Sequence, residues 1–126
     1  MDSALGQPTS RDTSDAVFVA TSDLHGRGIF ARRPIDAGER FCANHLFRIP
    51  ADEREFLDRT SLYDHYFEHD DDAFIALGPV SFLNHDEHPN ADFELDAERL
   101  QIVLVAQVPI LANEEITIHY GTEPWW

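Results

Sequence analysis

Apolar and polar positions alternate most regularly in the second half of the chain. Residues 91–95 (Ala-Asp-Phe-Glu-Leu) switch side at every step, and residues 100–106 follow the same period of two. That period places successive side chains on opposite faces of a strand. The short polar link 96–99 between the two runs predicts a hairpin. Shorter apolar runs at 16–20, 29–31, 41–47, 73–77, 80–83 and 115–120 predict further strands. The best helix signal is 50–57, with Pro50 in the first turn, Asp52 and Glu53 early, and Phe56 and Leu57 on one face. Residues 63–67 fit either a helix or a strand. Asp70-Asp71-Asp72 reads as a solvated turn.

One pattern occurs twice. Pro34-Ile35-Asp36-Ala37-Gly38-Glu39 matches Pro109-Ile110-Leu111-Ala112-Asn113-Glu114, and an apolar strand follows each copy. Glycine and asparagine best tolerate a left-handed backbone, so each copy predicts a tight turn that launches a strand. Many short strands, frequent turns and one or two short helices make the expected fold mainly β. No glycine-rich fingerprint joins a strand to a long helix, which argues against a doubly wound nucleotide-binding fold.

Composition narrows the class. The chain has 126 residues, 43% of them hydrophobic and 11% aromatic, enough for one ordinary core. Its formal charge is −15, from 24 acidic and nine basic residues, and all nine are arginine. Such a surface disfavours direct nucleic-acid binding and would favour encounter with a basic protein, although acidity that only keeps the protein soluble accounts for it equally. Cys42 is the only cysteine, so it can form no intramolecular disulfide and is expected as a small core residue. No signal peptide or membrane span is expected, and a cytoplasmic location follows as an expectation. Residues 1–15 are small and polar and read as a flexible leader.

Three segments carry candidate chemistry. Gly26-Arg27-Gly28 runs into Ile29-Phe30-Ala31, and paired glycines let a ligand approach the backbone. Ser81-Phe82-Leu83-Asn84-His85-Asp86-Glu87-His88-Pro89-Asn90 puts many polar groups after an apolar stretch. The third is Asn113 to Gly121, in which Tyr120 closes a strand. Histidine pairs such as His65 with His69, or His85 with His88, arise easily by chance among seven histidines, and no metal is expected.

In this order and spacing the three segments resemble the SET domain of protein lysine methyltransferases. The resemblance covers roughly residues 16–124, so residues 16–126 are taken as one SET domain. It implies a β-clip-like fold of several short sheets with a C-terminal pseudoknot. It also implies S-adenosylmethionine as cofactor, S-adenosylhomocysteine as product, and a basic, lysine-containing protein as substrate. By the same resemblance Gly26, Arg27, Gly28, Phe30, Asn84, His85 and Trp125 line the cofactor. Tyr120 is the catalytic tyrosine, and Phe82, Ile118 and Tyr66 border the substrate channel. A SET module that only binds a partner is the alternative, and a homodimer is an allowed assembly. Three departures stand out: Asp86-Glu87 replaces the usual Ser-Cys, Ser81 replaces a basic residue, and His119 replaces the usual acid before the tyrosine.

Overall fold

A computed structural model describes residues 14–119. The strands are β1 (Val17–Thr21), β2 (Arg27–Ala31), β3 (Arg40–Ile49), β4 (Tyr66–His69), β5 (Asp72–Ala76), β6 (Asn84–His85), β7 (Ala91–Asp96), β8 (Gln101–Ala106) and β9 (Glu115–Ile118). One sheet has the order β1-β2-β9-β6 and the other β4-β5-β3-β8-β7. Among the described residues, helix is confined to α1 (Arg54–Leu57) and 3-10 turns at Ala51–Glu53 and Pro79–Phe82. No helix among the described residues is long and apolar enough to cross a membrane.

The period-two segments form the expected hairpin, with Ala91 opposite Ala106 and Asp96 opposite Gln101. Along β8 burial alternates, with Ile102 and Leu104 fully enclosed. Ile29, Ile116 and Ile118 from the other sheet meet them in one apolar cluster. This burial, at roughly 25 cal/mol per Å² of apolar surface, is the main stabilising term.

The two copies of the repeated turn meet. Ile35 and Ile110 exchange backbone bonds of 2.8 and 2.9 Å as an isolated antiparallel bridge. Gly38 (φ +85°) and Asn113 (φ +70°) occupy the same left-handed position. In each copy the glutamate that follows accepts a backbone N–H three residues earlier: Glu39 from Asp36 (3.1 Å) and Glu114 from Leu111 (2.9 Å). The pattern therefore encodes a quasi-twofold pair of turns that fixes where β3 and β9 begin.

Two expectations change and two gain detail. The segment 80–83 is not a strand. Pro79 fixes the first backbone angle of a 3-10 turn there, Ser81 Oγ donates to Gly78 O (2.8 Å), and Val80 N–H donates to Asn44 Oδ1 (3.0 Å). The 50–57 segment is a 3-10 turn followed by a single helical turn, and its supposed apolar face is open, with Phe56 59% exposed. Residues 63–67 divide into a turn and the start of β4, and Asp70 and Asp71, both at positive φ, close the β4–β5 hairpin. Ser14, grouped with the leader by composition, accepts at its carbonyl from Val17 N–H (3.2 Å) and meets Asn44 Nδ2 (3.0 Å). The rest of the leader, residues 1–13, lies outside the described residues.

Asn44 is the polar pivot under the 79–82 turn. It is fully buried, and a Cβ on Gly78 would come within 2.7 Å of its carboxamide. Asn44→Ala orphans the buried Val80 N–H and should lower the free energy of unfolding by about 1–3 kcal/mol in urea denaturation. A change within about 0.5 kcal/mol would mean that the amide finds another partner.

Candidate functional site

β6 is only two residues long, yet it connects the two ends of the domain. Asn84 lies opposite Thr117 and His85 opposite Ile118, in parallel, beside the strand that leads to Tyr120. The segments expected to converge therefore do so through backbone pairing.

Asn84 is buried, and its Nδ2 reaches three acceptors: His25 O (3.2 Å), Arg27 O (3.1 Å) and Glu115 Oε2 (2.9 Å). Ser22 Oγ donates to the same carboxylate at 2.8 and 2.9 Å. Ser22 Oγ also accepts from Leu24 N–H (2.9 Å), which shapes the 22–26 loop. Gly28 lies against this cluster. A Cβ there would sit 2.2 Å from Glu115 Oε2 and 2.9 Å from Asn84 Nδ2, so only glycine leaves room. Asn90 completes the arrangement. Its Nδ2 donates to Glu115 O (2.8 Å) and its Oδ1 accepts from Thr117 N–H (2.9 Å), so one carboxamide acts as a strand neighbour for β9.

Above this cluster lies a groove of about 450 Å³, within the range of small-molecule sites. Gly26, Arg27, Phe82, Asn84 and His85 line it, together with Leu24, His25, Asp64 and His65. The Arg27 guanidinium lies 4.5 Å from the centroid of the Phe82 ring. His65 Nδ1 lies 2.9 Å from Ser81 O, and its ring meets Phe82 edge-on at 6.0 Å. On the far side His85 Nε2 and Glu87 Oε2 are 2.9 Å apart, and the His85 and His119 rings are 4.7 Å apart. The hydrogen bond from His85 holds the Glu87 carboxyl below the usual carboxylate range, and the nearby histidines add to that effect.

The sequence candidates thus divide. Gly26, Arg27, Asn84 and His85 border the groove, and Phe82, expected in the substrate channel, is beside them. Gly28 backs the groove through the Asn84–Glu115 contact. Three lie elsewhere. Phe30 stacks on Phe18 at 5.7 Å, because the β1–β2 register makes them partners. Ile118 is fully enclosed in the core. Tyr66 donates to Asp58 Oδ1 (2.8 Å) and accepts from Arg54 (3.2 Å), and burial raises its pKa. Tyr120 and Trp125 lie outside the described residues.

Ser22 and Glu115 were not singled out by sequence reasoning, nor were Asp64 and His65. Glu115 lay in a quoted motif, but nothing local distinguishes it from Glu114, which caps a turn. Asp64 and His65 reach the groove only through tertiary folding. His25 adjoins Gly26 and was within reach of the motif itself.

The comparisons with known proteins agree with this geometry. Residues 26–121 match the SET domain family. The chain is 28% identical over 110 residues to a Schizosaccharomyces pombe protein described as a histone-lysine N-methyltransferase, H3 lysine-37 specific, covering 86% of this chain and 75% of the relative. It is 32% identical over 121 residues to human histone-lysine N-methyltransferase 2B, covering 87% of this chain but only 4% of that much longer protein. A solved Plasmodium falciparum structure, described as a candidate histone methyltransferase, superposes with a TM-score of 0.71 at 22% identity. That match covers 90% of this chain and 99% of the other. The Asn84–β9 junction, the groove above it and the match over residues 26–121 together establish that the chain belongs to the SET domain family.

Proposed function

We propose that this domain transfers a methyl group from S-adenosylmethionine to the side-chain amine of lysine in a basic protein. The observation that carries the reading is the groove in which Gly26, Arg27, Asn84 and His85 converge, on a chain whose relatives are described as histone-lysine methyltransferases.

The residues present fit the cofactor. Its amino-acid end carries a carboxylate and an ammonium, and the groove wall offers the Arg27 cation and the Asp64 anion. No group among the described residues donates to Asn84 Oδ1, which leaves this acceptor for a ligand donor. The Gly26–Gly28 backbone would hold the remainder at close range. When bound, S-adenosylmethionine supplies a methyl group activated by an adjacent sulfonium.

The protein's own task concerns the amine. A lysine with pKa near 10.4 must lose a proton before it can attack, at a cost of roughly 4–5 kcal/mol at pH 7. An apolar channel disfavours the ammonium and reduces that cost. By the family resemblance, Tyr120 would orient the amine lone pair. The acidic surface would steer a lysine-rich substrate toward the domain. The given chain contains no lysine, so methylation of its own lysine side chains adds no background signal. The alternative reading, a partner-binding module without turnover, is not favoured by relatives described as enzymes.

Calorimetry with S-adenosylmethionine and mass spectrometry of histone mixtures test the proposal. Methyl transfer to lysine supports it, whereas cofactor binding without transfer to any basic protein would favour the binding module. Tyr120→Phe should reduce turnover about a hundredfold while cofactor affinity is retained. Unchanged turnover would remove Tyr120 from the reaction. Glu115→Ala leaves Asn84 and Ser22 without their shared acceptor. It should lower stability by about 1–3 kcal/mol and weaken S-adenosylmethionine binding, read by thermal unfolding and calorimetry. An unchanged dissociation constant would mean that the groove does not depend on this carboxylate.

A further inference from the structure

At the edge of the groove, three side chains from distant parts of the chain point together. His85, Glu87 and His119 each place one ligand atom within 4.8 Å of the other two. The strand register brings this about. His85 pairs with Ile118 in the parallel β6–β9 contact, so His119 comes one residue beyond that pair, and the turn after β6 folds Glu87 back onto both imidazoles. Glu87 Oε2 lies 2.9 Å from His85 Nε2 and 4.0 Å from His119 Nε2.

We propose that His85, Glu87 and His119 form a binding site for a divalent transition-metal ion, Zn²⁺ being the best match. Ligand bonds of about 2.0–2.2 Å in a tetrahedral site set ligand atoms roughly 3.3 Å apart. The two measured separations bracket that value, and the most exposed member, Glu87 at 75%, is free to adjust between the imidazoles. Two imidazoles and one carboxylate suit zinc, nickel or copper(II) rather than magnesium or calcium, which prefer all-oxygen sites. His85 and His119 are 20% and 34% exposed, so the backing is protein and the open side faces solvent. A fourth position is left for water. Asp86 lies outside the cluster, and its Oδ1 accepts from His88 N–H at 2.9 Å and so shapes the turn. His88 lies outside the trio, although the sequence alone pairs it with His85. Bound there, an ion would join the Asn84–His85 segment to the end of β9, next to Tyr120, by bonds stronger than the present contact.

The test uses the purified, chelator-treated chain with Zn²⁺ and Co²⁺ as probes. Calorimetry should give one saturable Zn²⁺ per chain. Co²⁺ should give the visible absorption of a low-coordinate site, which Zn²⁺ abolishes by displacement. His119→Ala and Glu87→Gln should each weaken Zn²⁺ binding at least about tenfold, while His88→Ala leaves it unchanged. Thermal melting without metal shows whether each variant is folded, and Glu87→Gln, at an exposed position, keeps the test available if His119→Ala is not. Absence of saturable binding would overturn the proposal. So would binding that survives both ligand substitutions, or that His88→Ala weakens as much as they do. Because the readout is metal binding itself, neither result bears on methyl transfer.

Discussion

The carboxylate of Glu115 organises the domain's functional end. It takes donors from Ser22 in the loop after β1 and from Asn84 in β6, while its own backbone lies in β9 and bonds Asn90. Three segments separated by up to 93 residues therefore depend on one partly buried acid. In such surroundings an unmade hydrogen bond costs more than a made one gains. The two asparagines cannot move independently of β9, and the loop carrying Arg27 cannot move independently of Asn84. The floor of the groove is held by polar groups that share Glu115 rather than by apolar packing alone.

The repeated turn supplies the frame in which this can happen. Ile35 and Ile110 bridge the two copies, and the left-handed Gly38 and Asn113 set the direction in which each chain leaves its turn. β9 leaves the second copy with Glu115 as its first residue, already aimed at the loop that Ser22 shapes. A short strand placed in this way needs little length. Ile29 and Phe30 of β2 flank it on one side and β6 on the other, and the Asn90 carboxamide supplies the hydrogen bonds that a longer neighbour would have made.

Features with a strong local cause could be read from the chain. The β7–β8 hairpin followed from alternation, the paired turns from their repeat, and the groove residues Gly26, Arg27, Asn84 and His85 from motif spacing. Features decided by distant partners could not. Residues 79–82 look as apolar as any strand, but Asn44, 36 positions away from Val80, captures the Val80 amide and favours a tight turn. Phe56 and Leu57 match a helix face, yet the helical segment is a single turn with no surface against which to bury Phe56. The Tyr66 hydroxyl joins Arg54 and Asp58, and no local pattern announces that network.

The same distinction explains how one loop can serve two purposes. Asn84 uses its side-chain donors to clamp the floor of the groove. His85, next in the chain, points to the other side of a parallel pair, as alternation along a strand requires. Its imidazole therefore meets Glu87 and His119 without disturbing the contacts of Asn84. Glu87 and His119 are also positions where the chain departs from the family pattern, and they are brought together only by the pairing of β6 with β9. Residues 87 and 119 thus both meet His85, while the Ser22–Glu115–Asn84 cluster that shapes the groove floor makes none of its hydrogen bonds to them. Strand alternation gives this small domain room for a second polar cluster at the edge of the groove, because the His85 imidazole turns toward Glu87 and His119 while the Asn84 carboxamide turns toward Glu115.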